Sequence, residues 1–227
     1  MMLSHITFEC PLEISEGAIS ILRVENQRQL SEYISELKQQ LDGNEGRFTL
    51  SEGGKELDIS QWVCMVIDIF SIDVNERSIL NKLYAKVNAE AYNEHNYTFT
   101  SELMSHMERY ICNIARQQPF PITFSEGMDL AGVFKLANFR FMLSEDSVLE
   151  RICDFITISA NYTKPKVFIF VNLKCFLSKD ELEQLYLFAS YGKHKLLLIE
   201  GVSSDTISSE KIRIIDVDLC EIDLEIR

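Results

Sequence analysis

The sequence predicts an α/β protein whose parallel-rich sheet is built from the two ends of the chain, with a mostly α-helical domain inserted between them. Three observations carry this. The runs VFIFV at residues 167–171 and LLLI at residues 196–199 are apolar without alternation, the pattern of strands covered on both faces. An amphipathic segment separates them, so strand, helix and strand form a βαβ unit with a right-handed connection. Between residues 73 and 118 no strand pattern occurs, only helical periodicity. The expected division is residues 1–72 and 161–227 for the α/β head and residues 73–160 for the helical insertion.

Taken in order, residues 2–14 read as two short strands, one alternating through Ile6 and Phe8 and one through Leu12 and Ile14 after Pro11. Residues 18–24 (AISILRV) read as a third. Asn26 can cap a helix carrying Leu30, Tyr33, Ile34, Leu37 and Leu41, and Asp42-Gly43 stops it. A short strand at 47–50, a polar turn at 52–55 and a buried strand from near Trp62 to Phe70 complete the first part. In the insertion, Asn75 caps a helix with Ile79, Leu80, Leu83, Tyr84 and Val87 on one face. Thr100 or Ser101 caps the next, with Leu103, Met104, Met107, Tyr110, Ile111 and Ile114, and Pro119 and Pro121 end it. The polar linker 93–98 makes the two an αα-hairpin. A strand at 122–124, a helix at 130–137, a strand at 139–143 and a helix at 145–159 follow.

In the βαβ unit, Ser178 and Glu181 are spaced for a capping box, each side chain serving a free N–H of the other. Leu182, Leu185, Tyr186 and Ala189 repeat at helical spacing, and Gly192 stands where a helix C-terminus wants a positive φ. Two edge strands, 212–217 and 219–226, close the chain.

Composition narrows the classes. With 46% hydrophobic and 25% charged residues, the chain is neither disordered nor fibrous. No apolar run reaches the ~20 residues a membrane span needs. The first residues lack a basic start and carry Glu9 and Glu13, unlike a signal peptide, so a cytoplasmic protein is expected. Six scattered cysteines without CxxC spacing read as buried free thiols. The net charge of −13 argues against indiscriminate binding to nucleic acid, although a ring with its lysines facing inward would reverse the sign of the field locally.

The search for chemistry removes most options. A phosphate loop needs glycines, a lysine and a following hydroxyl. Around Gly53-Gly54-Lys55, Thr49 takes the place of the first glycine and Glu56 follows the lysine, so the motif is absent. There is no GxGxxG or GxSxG, and Asn172 stands where a magnesium-holding carboxylate would end a strand. His5, His95, His106 and His194 lack ligand spacing and read as surface or capping residues. Ser178-Lys179-Asp180 is explained by a helix start. Asp216, Asp218, Glu221, Asp223 and Glu225 read as a solvated edge that blocks strand pairing. The remaining suggestive set is basic: Lys164, Lys166, Lys174, Lys179, Lys193 and Lys195 flank the βαβ unit, and Lys135 and Arg140 precede it. They solvate loop ends or contact phosphates, for which loosely placed cations suffice.

The stretches VFIFVNLKCFLSKDELEQLYLFA with LLLIEG, SQWVCMVIDIFSIDVN, FKLANFRF and ITFECPLEISEGAISILRVEN together resemble the accessory spacer-acquisition proteins of type II-A CRISPR systems, the Csn-two family. The resemblance spans nearly the whole chain and rests on element order, not on catalytic residues. It implies a head with a sheet like that of P-loop ATPases but without Walker motifs, and a helical leg. It also implies a homotetrameric ring that binds the ends of linear double-stranded DNA without catalysis. Such a ring works with the CRISPR integrase and the effector nuclease during adaptation. The family's calcium site corresponds to ITFSEGMDLAGVFKL, where Thr123, Ser125 and Gly132 fall at usual acid positions and Glu126 and Asp129 remain as metal candidates. Two other readings stay open: a nucleotide-dependent enzyme on the same α/β body, and a protein-binding scaffold using the helical insertion.

Overall fold

The structure, a computed structural model, describes residues 1–124, 127, 129–144, 147–163, 165, 167–202 and 206–225. The chain forms two compact units, Met1–Asp73 with Leu143–Arg227, and Val74–Met142. In chain order the first unit holds β1 (Met2–His5), β2 (Leu12–Glu13), β3 (Ile19–Val24), α1 (Gln27–Leu41), β4 (Phe48–Glu52), β5 (Lys55–Leu57), α2 (Ile59–Trp62) and β6 (Val63–Val66). The second unit follows with α3 (Arg77–Ala91), α4 (Tyr97–Arg116) and α5 (Leu130–Leu136). The first unit resumes with α6 (Val148–Tyr162), β7 (Val167–Val171), α7 (Lys179–Tyr191), β8 (Lys195–Glu200), β9 (Glu210–Ile215) and β10 (Glu221–Glu225). Helix α6, expected in the insertion, therefore belongs to the first unit, where it contacts α7. Its Ile152, Phe155 and Ile156 need an apolar partner, and the Phe155 ring meets Phe168 of β7 at 6.3 Å.

Six strands in the order β10-β9-β3-β8-β7-β6 make the main sheet, parallel except for β10. Alternate residues explain the unbroken apolar runs. Val167, Ile169 and Val171 point into a core shared with Leu197, Ile199, Tyr33 and Leu37, whereas Phe168, Phe170, Leu196 and Leu198 are buried on the opposite face. A second, antiparallel sheet, β2-β1-β4-β5, contributes Leu3, Leu12, Phe48 and Leu50 to the same core. Gly53 and Gly54 turn β4 into β5 with φ of 58° and 77°, the two left-handed residues a tight hairpin of this hand requires.

In the helical unit, α3 contacts α5, and Asn75 does not cap α3. Its amide instead accepts from the Phe141 N–H at 2.8 Å and donates to the Phe141 carbonyl at 3.1 Å, which ties down a segment that forms no strand. Residues 122–124 form no strand either, because the described residues of this unit offer no partner strand. Helix α4 begins at Tyr97, three residues before the expected cap: Asn93 accepts from Asn96 N–H at 2.9 Å, and Thr100 donates to the Ala91 carbonyl at 2.6 Å.

Other expectations shift for local reasons. Strand β6 ends at Val66, short of the expected Phe70, because Asp68 accepts from the Phe70 N–H at 2.9 Å and starts a helical turn at Ile69–Ser71. Gly192 is not the left-handed residue; Lys193 is, at φ 54°. A Cβ on Gly192 would stand 2.5 Å from the His194 ring, so glycine is wanted there for room. Strand β9 is internal, not an edge. The acids beside it are only partly solvated: Asp223 and Glu221 reach the buried Arg213 at 2.7 and 3.5 Å, and Asp216 accepts from the Asp218 and Cys220 N–H groups. Cys10, Cys175 and Cys220 are exposed, although all six thiols are free. His5 is a core residue, packed on Tyr33 and Phe48 with its ring 3.3 Å from Glu36, and burial lowers its pKa.

Two tests follow from these contacts. The capping box is complete, with Ser178 accepting from Glu181 N–H and the Glu181 carboxylate accepting the Ser178 N–H at 2.8 Å. Ser178→Ala is expected to cost about 1 kcal/mol in urea unfolding. Arg47 at 2.7 Å holds the Glu36 carboxyl down from 4.5 to about 2. That stabilisation is fully present above pH 4.5 and is lost as pH falls toward 2. Glu36→Gln should therefore flatten the acid limb of stability measured against pH.

Candidate functional site

In an open parallel sheet, ligands bind outside the carboxyl ends of the strands where the strand order reverses. Here that place lies beside β3, whose neighbours β9 and β8 both come from the end of the chain. It is filled. Only Glu25 and Asn26 join β3 to α1, and the Asn26 side chain accepts from Gln29 N–H at 3.1 Å, using a first-turn donor of the helix. Leu30 lies so close over Gly201, at the end of β8, that a Cβ there would stand 2.5 Å from its methyl carbon. A phosphate loop needs several residues of free backbone N–H at this position. Two residues with a carboxylate among them do not supply it.

On the other face of the sheet a buried polar cluster begins at these strand ends and runs back to Glu210, the first residue of β9. Asn172 adopts the left-handed conformation, φ 53°, which directs its carbonyl oxygen to the Gly201 N–H at 2.9 Å. Glu200, 2% exposed, accepts from the Lys174 N–H at 3.2 Å. Burial pushes its carboxyl up to about 7, against the pull of the Lys174 and Leu173 N–H groups and the Lys174 charge. The Lys174 ammonium is 2.6 Å from Glu210, with both side chains out of solvent. Tyr186 of α7 donates to the same Glu210 oxygen at 2.7 Å, and Ile207 N–H donates to the other at 3.2 Å. Burial and that carboxylate push the Tyr186 phenol up. The cluster bolts β7, β8 and β9 to α7. Its groups are committed to one another, so it positions backbone.

The basic residues singled out in the sequence scatter. The Lys174 side chain is buried, and that of Lys195 is 11% exposed with Glu52 at 3.0 Å and Glu16 at 3.6 Å. Neither presents a free charge at the surface, because the surplus of carboxylates around the sheet captures nearby cations. Lys179 and Lys193 are exposed at opposite ends of α7, roughly 21 Å apart along the helix. Lys164 and Lys166 lie outside the described residues. In the other unit Lys135 sits 5.8 Å over the Tyr84 ring, and Arg140 donates to Asn138 at 2.7 Å. Asp129 caps α5 by accepting from Ala131 N–H at 3.1 Å, and Glu126 lies outside the described residues. Calcium wants six to eight oxygens. Among the described residues no group of three metal-ligating side chains occurs.

One basic feature was missed in the sequence. Arg109 and Arg116 stand seven residues apart on α4 and line a groove of about 760 Å³ with Ser105, Cys112, Asn113 and Phe124. Their i, i+7 spacing, two helical turns, was the available signal. Such spacing recurs on any long helix and does not by itself mark a site.

Lys174→Met would leave Glu210 buried and charged without its cation, at an expected cost of about 3–5 kcal/mol in urea unfolding. Adding Glu210→Gln, which keeps an acceptor for Tyr186, should recover a large part of it.

Residues 40–219 match the family model of CRISPR-associated protein (Cas_Csn2). A CRISPR-associated protein Csn2 from Enterococcus faecalis is 22% identical over 142 residues, covering 60% of this chain and 62% of that relative, so the match spans less than two thirds of its length. Among solved structures, a chain described as an ABC transporter (ATP-binding protein) from Pyrococcus furiosus is similar at 12% identity and a TM-score of 0.39, over 93% of this chain and 97% of that one. No helix among the described residues is long and apolar enough to cross a membrane. With the family model matched over well more than half of its residues, the chain belongs to the CRISPR-associated Csn2 family.

Proposed function

We propose that this chain is a non-catalytic protein that binds the ends of linear double-stranded DNA, assembled as a homotetrameric ring, during acquisition of new spacers in the cytoplasm. Membership of a CRISPR-associated family carries the reading. The closed end of the sheet supports it: Leu30 against Gly201 and the two-residue link before α1 leave an ATPase-like parallel frame without room for a phosphate loop. Acquisition joins new DNA to an array, so the CRISPR integrase and the effector nuclease are the expected partners. A ring explains how a chain of net charge −13 tolerates a polyanion, since only a local lumen has to be positive.

A second reading, a protein-binding surface on the helical unit, is favoured by one observation. Phe99, Tyr110 and Phe120 are 73%, 68% and 76% exposed there, far more aromatic surface than a monomer needs.

The test is a gel-shift comparison of linear and closed circular forms of one plasmid, with the mass in solution measured by light scattering. Expected are a mass of four 26.2 kDa chains and a shift of the linear form only. Affinity should fall with salt at a log–log slope near −0.9 per phosphate neutralised. Equal binding to the closed circle would defeat the threading model. A protein that shifts neither form would leave the scaffold reading in its place.

A further inference from the structure

We infer that the groove on α4 is a contact surface for the DNA phosphate backbone, with Arg109 and Arg116 as its cations. This deepens the function proposed above and rests on it. The first support is where the charge lies. Residues 74–142 hold seven basic and seven acidic residues, so the whole formal charge of −13 belongs to the other unit. A polyanion approaching the helical unit meets no net repulsion from it.

The second support is which cations are already spent. In the first unit Arg28, Arg47, Lys174, Lys195, Lys211 and Arg213 each have a carboxylate within 4.0 Å. In the helical unit neither Arg109 nor Arg116 has a carboxylate partner among the described residues. Arg109 instead leans on its own helix, Nε donating to the Ser105 carbonyl at 3.3 Å, with His106 Nδ1 3.3 Å from its Nη2. Both arginines are exposed. A guanidinium held away from carboxylates keeps its fork for a phosphate.

The third support is the groove's form. Seven residues at 1.5 Å each put the arginines about 10 Å apart on one face of α4, close enough for both to reach the phosphates of one duplex. Ser105 and Asn113 add neutral hydrogen-bonding groups beside them, of the kind that contact phosphates without reading sequence. Glu108 also lines the groove and opposes an anion there, which gives the surface a variant of opposite sign.

The experiment titrates full-length wild type, Arg109→Gln/Arg116→Gln and Glu108→Gln against a blunt-ended linear duplex at several salt concentrations. Circular dichroism and light scattering check fold and assembly; all three side chains are exposed, so the variants should fold. The arginine double variant should bind more weakly and lower the salt slope by roughly 2 per groove engaged, about 1 for each lost phosphate contact. Glu108→Gln should bind more tightly. A double variant with wild-type affinity and slope would overturn the inference, and end binding by the wild type would still uphold the function proposed above. Failure of the wild type to bind the duplex would overturn both.

Discussion

The rest of the first unit depends on one constraint: a parallel strand in the middle of a sheet must be dry on both faces. Strands β3, β7 and β8 satisfy it with residues that are almost all below 3% exposed. Two layers are needed to cover them, and the chain supplies both. Helix α1, backed by the small antiparallel sheet, closes one face, and α6 with α7 closes the other. The cost falls on polar groups caught beneath those layers. Lys174, Glu200, Glu210 and Tyr186 cannot reach water, so they bond one another and the backbone. A buried network of this kind is sensitive to the loss of any one member.

The same constraint bears on function. Packing α1 tightly enough to cover β3 brings Leu30 onto Gly201 and shortens the link before the helix to two residues. A sheet of this type carries its ligand at that crevice when the crevice is open. A leucine there leaves no room for a phosphate loop, and the DNA contact proposed above asks for little more than well-placed cations.

The main sheet and its βαβ unit were legible because continuous burial leaves an unmistakable pattern: VFIFV and LLLI became β7 and most of β8, and Ser178 capped α7. Asn26 and Asp42-Gly43 bounded α1 for equally local reasons. The errors arose where a distant partner decides. Asn75 looks like a cap until Phe141, 66 residues on, takes both ends of its amide. The 145–159 helix looks like more of the insertion until β7 offers it a buried face. Lys174 and Lys195 look like surface charges until Glu210 and Glu52 arrive from far along the chain. Charge type is legible in a sequence, but charge availability is a tertiary property. The arginine pair on α4 escaped notice for the converse reason, since nothing nearby marks a cation that has been left alone.

The strand order has a consequence for how the protein is made. Strand β3 leaves the ribosome well before its two neighbours, β8 and β9, which begin at residues 195 and 210. Everything from α1 to α7, helical insertion included, must be synthesised before ISILRV acquires a hydrogen-bonded partner on either side. Contacts of such long sequence separation are slow to form and leave apolar strand edges open meanwhile. The nascent head is thus a half-built sheet that needs sheltering until its last fifth appears, and truncation near the C-terminus would remove the partners of its oldest strand.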